Sequence, residues 1–256
     1  MSGLNLFGWK RRTATERAPA RVPEGVLLYA VGDIHGRSDL LLPLLKKIGA
    51  DAREEPAARR ILLFVGDYVD RGPDSRGVID AIVDGVTPFE TVFLKGNHEA
   101  VLLDFLDNPA RWEDWRRFGG LETLASYGVD HRLLAGAGVE PEEIRDAFLA
   151  ALPRKHLDFL RTLLLSYECG DYYFVHAGAR PGIPLDQQIE ADQLWIREGF
   201  LDAGDVFGGR VVVHGHTPKK SPERRSFRIG IDTGAYLYGC LTAARFMGDQ
   251  VEFLQS

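Results

Sequence analysis

From Gly25 onward, apolar and polar positions fall into blocks with the spacing of strands and helices. An apolar run over Val26–Val31 precedes helical spacing over 40–48, and a run over 61–65 precedes helical spacing over Ser75–Val83. A third run follows over 91–94. This order predicts a βαβαβ opening, hence parallel strands. Each run ends in a polar cluster: Gly32-Asp33-Ile34-His35-Gly36, Gly66-Asp67-Tyr68-Val69-Asp70-Arg71-Gly72, and Gly96-Asn97-His98-Glu99. Sites in open α/β sheets form beyond the carboxyl ends of the strands, so the three clusters are expected to converge at one sheet edge.

Residues from about 100 to 165 change character. Leu102, Phe105, Ile144, Phe148, Leu157 and Leu160 are among apolar positions at helical spacing, which predicts a helical insertion. Short apolar runs then follow at 172–175, 211–213, 229–231, 241–246 and 251–254, separated by Gly, Pro and Asp. They predict a second, largely antiparallel set of strands. Two of these runs end in histidine clusters, Val175-His176-Ala177-Gly178 and His214-Gly215-His216-Thr217-Pro218.

With 45% hydrophobic residues, a chain of 256 residues can bury a sizeable core, and wholesale disorder is excluded. The formal charge of -6 argues against a nucleic-acid partner, whose phosphates an acidic surface repels. Positive charge gathers instead in residues 1–24, where Lys10, Arg11, Arg12, Arg17 and Arg21 face only Glu16 and Glu24. We expect a disordered basic leader over 1–24 and a single domain over 25–256. Leu4, Leu6, Phe7 and Trp9 precede the basic residues, the reverse of a signal peptide, and are too few for stable membrane association. Cys169 and Cys240 form no disulfide framework or ligand spacing, which fits a cytoplasmic protein.

Between them the five clusters offer Asp33, His35, Asp67, Asn97, His176 and His216. A mixture of carboxylate, imidazole and amide oxygen suits a pair of divalent cations such as Mn, Fe or Zn better than Ca or Mg. A thiolate-rich zinc site is excluded, since neither cysteine lies near a cluster.

In this order, the motifs at 32–36, 66–72, 96–99, 175–178 and 215–218 resemble the calcineurin-like metallophosphoesterase superfamily, specifically its phosphoprotein phosphatase branch in bacterial and phage form. The resemblance spans residues 31 to about 234. It implies an α/β fold, a four-layer αββα sandwich of two mixed β-sheets with a helical insertion. It also implies that Asp33, His35 and Asp67 hold one metal, most simply Mn, and that Asp67, Asn97, His176 and His216 hold a second. Two cations about 3.5 to 4 Å apart share a water and lower its pKa, giving a hydroxide nucleophile. His98 then resembles the general acid, Asp70 the residue that orients it, and Arg71 and Arg197 the pair that grips phosphoryl oxygens.

The activity so implied is hydrolysis of phosphate monoesters on a phosphoprotein or phosphopeptide, serine or threonine first, with tyrosine also open. The alternative is a dinucleoside tetraphosphate hydrolase, for which Tyr236, Tyr238 and Lys219-Lys220 are scattered candidates for base and phosphate contacts. An inactive phosphate-binding scaffold is disfavoured, because no ligand position is lost. Glu99 is expected to anchor the following helix, His214 to stand behind the ligands, and His131 and His156 to lie on the surface of the insertion.

Overall fold

The computed structural model describes residues 18–85, 88–129 and 138–256. Every residue of β1 (Val26–Val31) is buried, because the strand is covered on both faces. Leu27, Tyr29 and Val31 pack among helices, whereas Val26, Leu28 and Ala30 face the second sheet, the two-residue alternation of an extended chain. Helix α1 (Ser38–Glu54) leads to β2 (Arg59–Phe64), and α2 (Ser75–Val83) leads to β3 (Glu90–Phe93). The three strands are parallel and in register: Val31 pairs with Phe64, and Phe64 with Phe93. They therefore end level, and the three clusters that follow emerge side by side.

The insertion begins with α3 (Asn97–Asp107) and continues through α4 (Trp112–Arg117), α5 (Gly120–Ser126) and two further helices, Pro141–Ala151 and Arg154–Arg161. After it come β4 (Ser166–Cys169), β5 (Tyr172–Val175), β6 (Val211–His214), β7 (Glu223–Arg224) and β8 (Arg228–Gly230). These form the second sheet in the order β4-β5-β6-β8-β7. Its three central strands are parallel and only the edge strands antiparallel, which corrects the expectation of a largely antiparallel set. The crossovers between β5 and β6 and between β6 and β8 return the chain in one direction, as parallel pairing requires.

The last two strands, β9 (Thr242–Met247) and β10 (Gln250–Gln255), do not join that sheet. They form a hairpin, and β9 lies antiparallel to β1, giving a first sheet ordered β10-β9-β1-β2-β3. The two mixed sheets face each other across a core that includes Leu28, Ile61, Phe246, Phe174 and Val213. Helices cover the outer face of the first sheet. Over the second, a thinner layer of loops and the short helix Glu190–Trp195 contributes Ile196, Phe200 and Phe207. The architecture is the expected four-layer α/β sandwich.

Two further sequence expectations change. Residues 18–24 belong to the folded body: Val22 is buried in the inter-sheet core, its N–H donates to Gly248 O at 2.9 Å, and the Tyr172 hydroxyl donates to Ala20 O at 3.0 Å. An apolar side chain with a paired backbone is held however basic its surroundings; residues 1–17 of the expected leader lie outside the described residues. His156 is fully buried rather than on the surface, while His131 lies outside the described residues. The Tyr127 hydroxyl donates to His156 Nδ1 at 2.9 Å, and Nε2 donates to Asp80 Oδ1 at 3.0 Å. That pattern uses both nitrogens of a neutral imidazole. Among the described residues, no helix is long and apolar enough to cross a membrane.

Burial lowers the pKa of His156 below its ordinary value, against the opposing pull of Asp80. The unfolded chain therefore binds a proton where the folded chain does not, and stability falls as pH drops through the ordinary imidazole value toward the lowered one. We predict that His156→Gln reduces this pH dependence in urea unfolding measured between neutral and mildly acidic pH. His156→Ala, which also leaves a cavity and an unpaired Tyr127 hydroxyl, should lower stability by about 2–4 kcal/mol.

Candidate active site

Five strand ends bring the predicted residues together. Asp33 and His35 follow β1, Asp67, Asp70 and Arg71 follow β2, and Asn97 and His98 open α3 just beyond β3. The second sheet supplies His176 after β5 and His216 after β6, whose Val213 pairs with Phe174 of β5 and with Ile229 of β8. Among the described residues, five positions other than glycine have left-handed backbone: His35 (φ 47°), Asp67 (54°), Asp70 (71°), Arg71 (68°) and His216 (64°). All five are residues singled out in the sequence. Such conformations cost on the order of 1–3 kcal/mol each, and here they coincide with the polar cluster.

Asp67 is the centre of the arrangement. Its Oδ2 lies 3.4 Å from His35 Nε2 and 3.9 Å from His98 Nε2, and its Oδ1 lies 3.5 Å from His176 Nε2. Asn97 Oδ1 sits between the two later histidines, 2.9 Å from His176 Nε2 and 3.0 Å from His216 Nδ1. His35 and His176 each donate Nδ1–H to a backbone carbonyl, of Val69 and Val65 respectively, both at 3.0 Å. These bonds aim Nε2 inward and fix the tautomer. Two trios result, His35–Asp67–His98 and Asp67–His176–His216, in each of which the potential ligand atoms lie within 4.8 Å of one another.

Asp33 belongs to neither trio. Its Oδ2 accepts the His216 N–H at 2.8 Å, and its Oδ1 is buried without a hydrogen-bond partner. Burial, Asp232 and Asp67 all push its pKa well up. At Asp67 burial acts in the same direction, but the charge that His176, His98, His35 and His216 carry when protonated more than offsets it and lowers the carboxyl's pKa. Burial lowers the pKa of His35, to about 3, and of His176 and His216 as well, so these rings are neutral and keep lone pairs for a metal. His98 differs: burial disfavours its charge, yet the Asp67 and Asp70 carboxylates prevail and raise its pKa.

His98 Nδ1 lies 2.8 Å from Asp70 Oδ2, leaving its buried Nε2 toward Asp67 and without a hydrogen-bond partner. Arg71 Nη1 is 3.3 Å from His35 Nε2, and its guanidinium lies over the Tyr236 ring at 4.6 Å. Arg197 is exposed, and its Nη2 donates to His216 O at 3.0 Å. His214 faces away from the centre, against Phe200, with Nε2 3.4 Å from Arg228. It shares the outward face of β6 with Val212, as strand alternation requires.

Sequence reasoning passed over several groups here. Asp232, buried and with its pKa pushed up to about 6 by burial, lies in the Asp-Thr-Gly turn after β8, where only its position after another apolar run signalled it. Trp115 and Thr123 reach Asp70 from the insertion and follow no motif. Trp195 is 38% exposed, with its ring 5.5 Å from Phe118 and 6.2 Å from His216.

Residues 27–238 match the calcineurin-like phosphoesterase family. The chain belongs to that family. As such it is a metal-dependent phosphoesterase, and members of the family use a dinuclear metal centre. It is 28% identical over 236 residues to the asymmetrical bis(5'-nucleosyl)-tetraphosphatase PrpE of Anoxybacillus flavithermus, covering 84% of this chain and 89% of that one. To the protein of the same name from Bacillus subtilis it is 29% identical over 244 residues, with 84% and 89% covered. Among solved structures, a candidate diadenosine tetraphosphatase superposes with a TM-score of 0.60 at 22% identity, covering 93% of this chain and 99% of that one. A yeast protein serine/threonine phosphatase with similarity to human PP5 gives 0.58 at 16% identity, with 93% and 83% covered. These structures share the fold.

The donors of this phosphoesterase fit two cations. Among the described residues, the buried side-chain atoms without a hydrogen-bond partner are Asp33 Oδ1, His98 Nε2 and His216 Nε2, which belong to this centre, and Thr217 Oγ1 next to His216 in the chain. Uncompensated buried polar atoms are costly, and here they point to ligands. We predict that Asp67→Asn, which weakens the carboxylate common to both trios, strips bound manganese as read by elemental analysis after dialysis. Activity should fall roughly a hundredfold or more. His214→Gln should retain the metal.

Proposed function

We propose that this phosphoesterase hydrolyses dinucleoside tetraphosphates. The observation that carries the reading is aromatic: ring surfaces far apart in the sequence flank the charged centre. Trp195 and Phe118 stand on the side of His216 and His98, and Tyr236 packs against His35 at 5.0 Å on another. Beyond it, Lys220 Nζ lies 5.9 Å from the ring of Tyr238. Exposed aromatic faces accept nucleobases by stacking, and the lysines at 219 and 220 add charge for phosphates distant from the reacting one. The names of relatives that align over 84% of the chain agree with this reading.

In this reading His35, Asp67, His176, His216 and Asn97, with Asp33 beside them, hold two divalent cations, manganese being expected and iron or zinc compatible with the donors. Bound there, the cations supply Lewis acidity and activate the attacking water. Arg71 and Arg197 bind non-bridging phosphoryl oxygens. His98 carries a proton at Nε2, favoured by its two carboxylate neighbours, and delivers it to the leaving oxygen while Asp70 holds Nδ1.

One feature favours a second reading, phosphomonoester hydrolysis on a phosphopeptide. A nucleotide phosphate departs readily as an anion, whereas a serine or threonine alkoxide needs a proton, and the buried His98–Asp70 pair is suited to provide one. The two readings separate in one assay. With manganese, kcat/KM for a diadenosine tetraphosphate should exceed that for phosphoserine peptides by about tenfold or more, and the reverse order would favour the phosphopeptide. We further predict that Trp195→Ala raises KM for the dinucleotide by roughly tenfold, the worth of one stacked base, while KM for a small aryl phosphate stays nearly constant.

A further inference from the structure

The Asp70 carboxylate is wholly buried, and groups from the helical insertion crowd it. The Thr123 hydroxyl donates to Oδ1 at 2.7 Å, and the Trp115 indole N–H lies 3.1 Å from Oδ1 and 3.2 Å from Oδ2. Thr123 Oγ1 also accepts the Asp70 backbone N–H at 2.9 Å, so one hydroxyl grips both ends of the residue. Ser75 Oγ completes the set, 3.1 Å from the same N–H and 3.0 Å from Thr123 Oγ1.

These donors are themselves held. Trp115 is fully buried, stacked on Phe105 at 4.9 Å and beside Phe148 at 5.5 Å, so its N–H direction is set by the packing of α3 and the helix Pro141–Ala151. Gly120 opens α5 against the same indole; a Cβ there would lie 2.6 Å from the ring, so only glycine lets α5 approach closely enough for Thr123 to reach Asp70. One residue earlier, Gly119 O accepts the Arg71 N–H.

We propose that Thr123 and Trp115 are positioning residues for proton delivery by His98. With Oδ1 committed to the hydroxyl and the indole bridging both oxygens, the carboxylate cannot turn about its Cβ–Cγ bond. Oδ2 is then presented to His98 Nδ1, and the imidazole is held with Nε2 toward the centre. The insertion thereby acts on the chemistry without touching substrate. This inference rests on the reading of His98 as the proton donor, and the test separates the two.

The probes are phenyl phosphate, whose leaving group needs a proton, and 4-nitrophenyl phosphate, whose leaving group needs little, each assayed with manganese. Thr123→Val keeps the shape and removes the hydroxyl; Trp115→Phe keeps an aromatic ring and removes the N–H. We expect each to lower kcat on phenyl phosphate by about tenfold, with a much smaller loss on 4-nitrophenyl phosphate and little change in KM. Thr123→Ser should recover most of the loss. His98→Asn should give the same leaving-group pattern at roughly a hundredfold or more. If His98→Asn shows that pattern but neither Thr123→Val nor Trp115→Phe does, with folding verified by thermal unfolding, the positioning role is wrong and the acid stands. An equal loss on both esters for His98→Asn would overturn the acid and the clamp together.

Discussion

The Glu99 carboxylate is the joint on which the centre hangs. Its Oε2 accepts the N–H groups of Asp67 and Gly96, and its Oε1 those of Tyr68 and Val69, at 2.8 to 3.2 Å. Burial and the nearby Asp67 push its pKa up to about 7, opposed by His98 and by these donors. The expected role, anchoring α3, is one half of what it does, for three of the four donors belong to the turn after β2. Left without it, each buried N–H would cost about 1–3 kcal/mol, and the left-handed backbone of Asp67 would keep only the bonds its carbonyl accepts from the Ile34 and His35 N–H groups and the one its carboxylate accepts from His98 N–H. Through this single side chain the second and third polar clusters become one rigid piece, in which Asp67 Oδ1 also accepts the His98 N–H at 3.1 Å.

That piece is only half a centre. The remaining donors come from a different sheet, and they meet Asp67 because both sheets end their parallel strands at one edge of the sandwich. Asp33 Oδ2 ties the two sides directly by accepting the His216 N–H. The separation of protonation behaviour follows from the same packing. Burial keeps His35 and His176 neutral, which the carbonyl at Nδ1 only partly opposes, whereas at His98 the Asp67 and Asp70 carboxylates outweigh burial and favour the proton.

How much of this was legible in the sequence depended on whether the information was local. Parallel strands buried on both faces write continuous apolar runs, and the glycine-bounded clusters after them mark strand ends, so β1 to β3 and the residues the structure gathers around Asp67 could be read directly. Pairing partners are not local. The run Thr242-Ala243-Ala244-Arg245-Phe246-Met247 suits either sheet, and its choice of β1 is settled by contacts such as those of the buried Arg245 with Asp51 and Glu55, in and just after α1. His156 sits in a helix whose pattern cannot distinguish a polar surface residue from a buried one already paired. Trp115 and Thr123 acquire their meaning only once the insertion folds back onto Asp70.

The C-terminal hairpin has a consequence for how the molecule is made. Leu27 pairs with Met247 and Val31 with Ala243, so the strand leading to Asp33 and His35 has one unpaired edge until more than two hundred further residues have been synthesised. On a ribosome that edge, lined by Leu27, Leu28 and Tyr29, is an apolar template for the wrong strand. The first sheet cannot close cotranslationally from its N-terminal half. Early folding of the βαβαβ unit therefore leaves the β9-facing edge of β1 open until the C-terminal hairpin arrives.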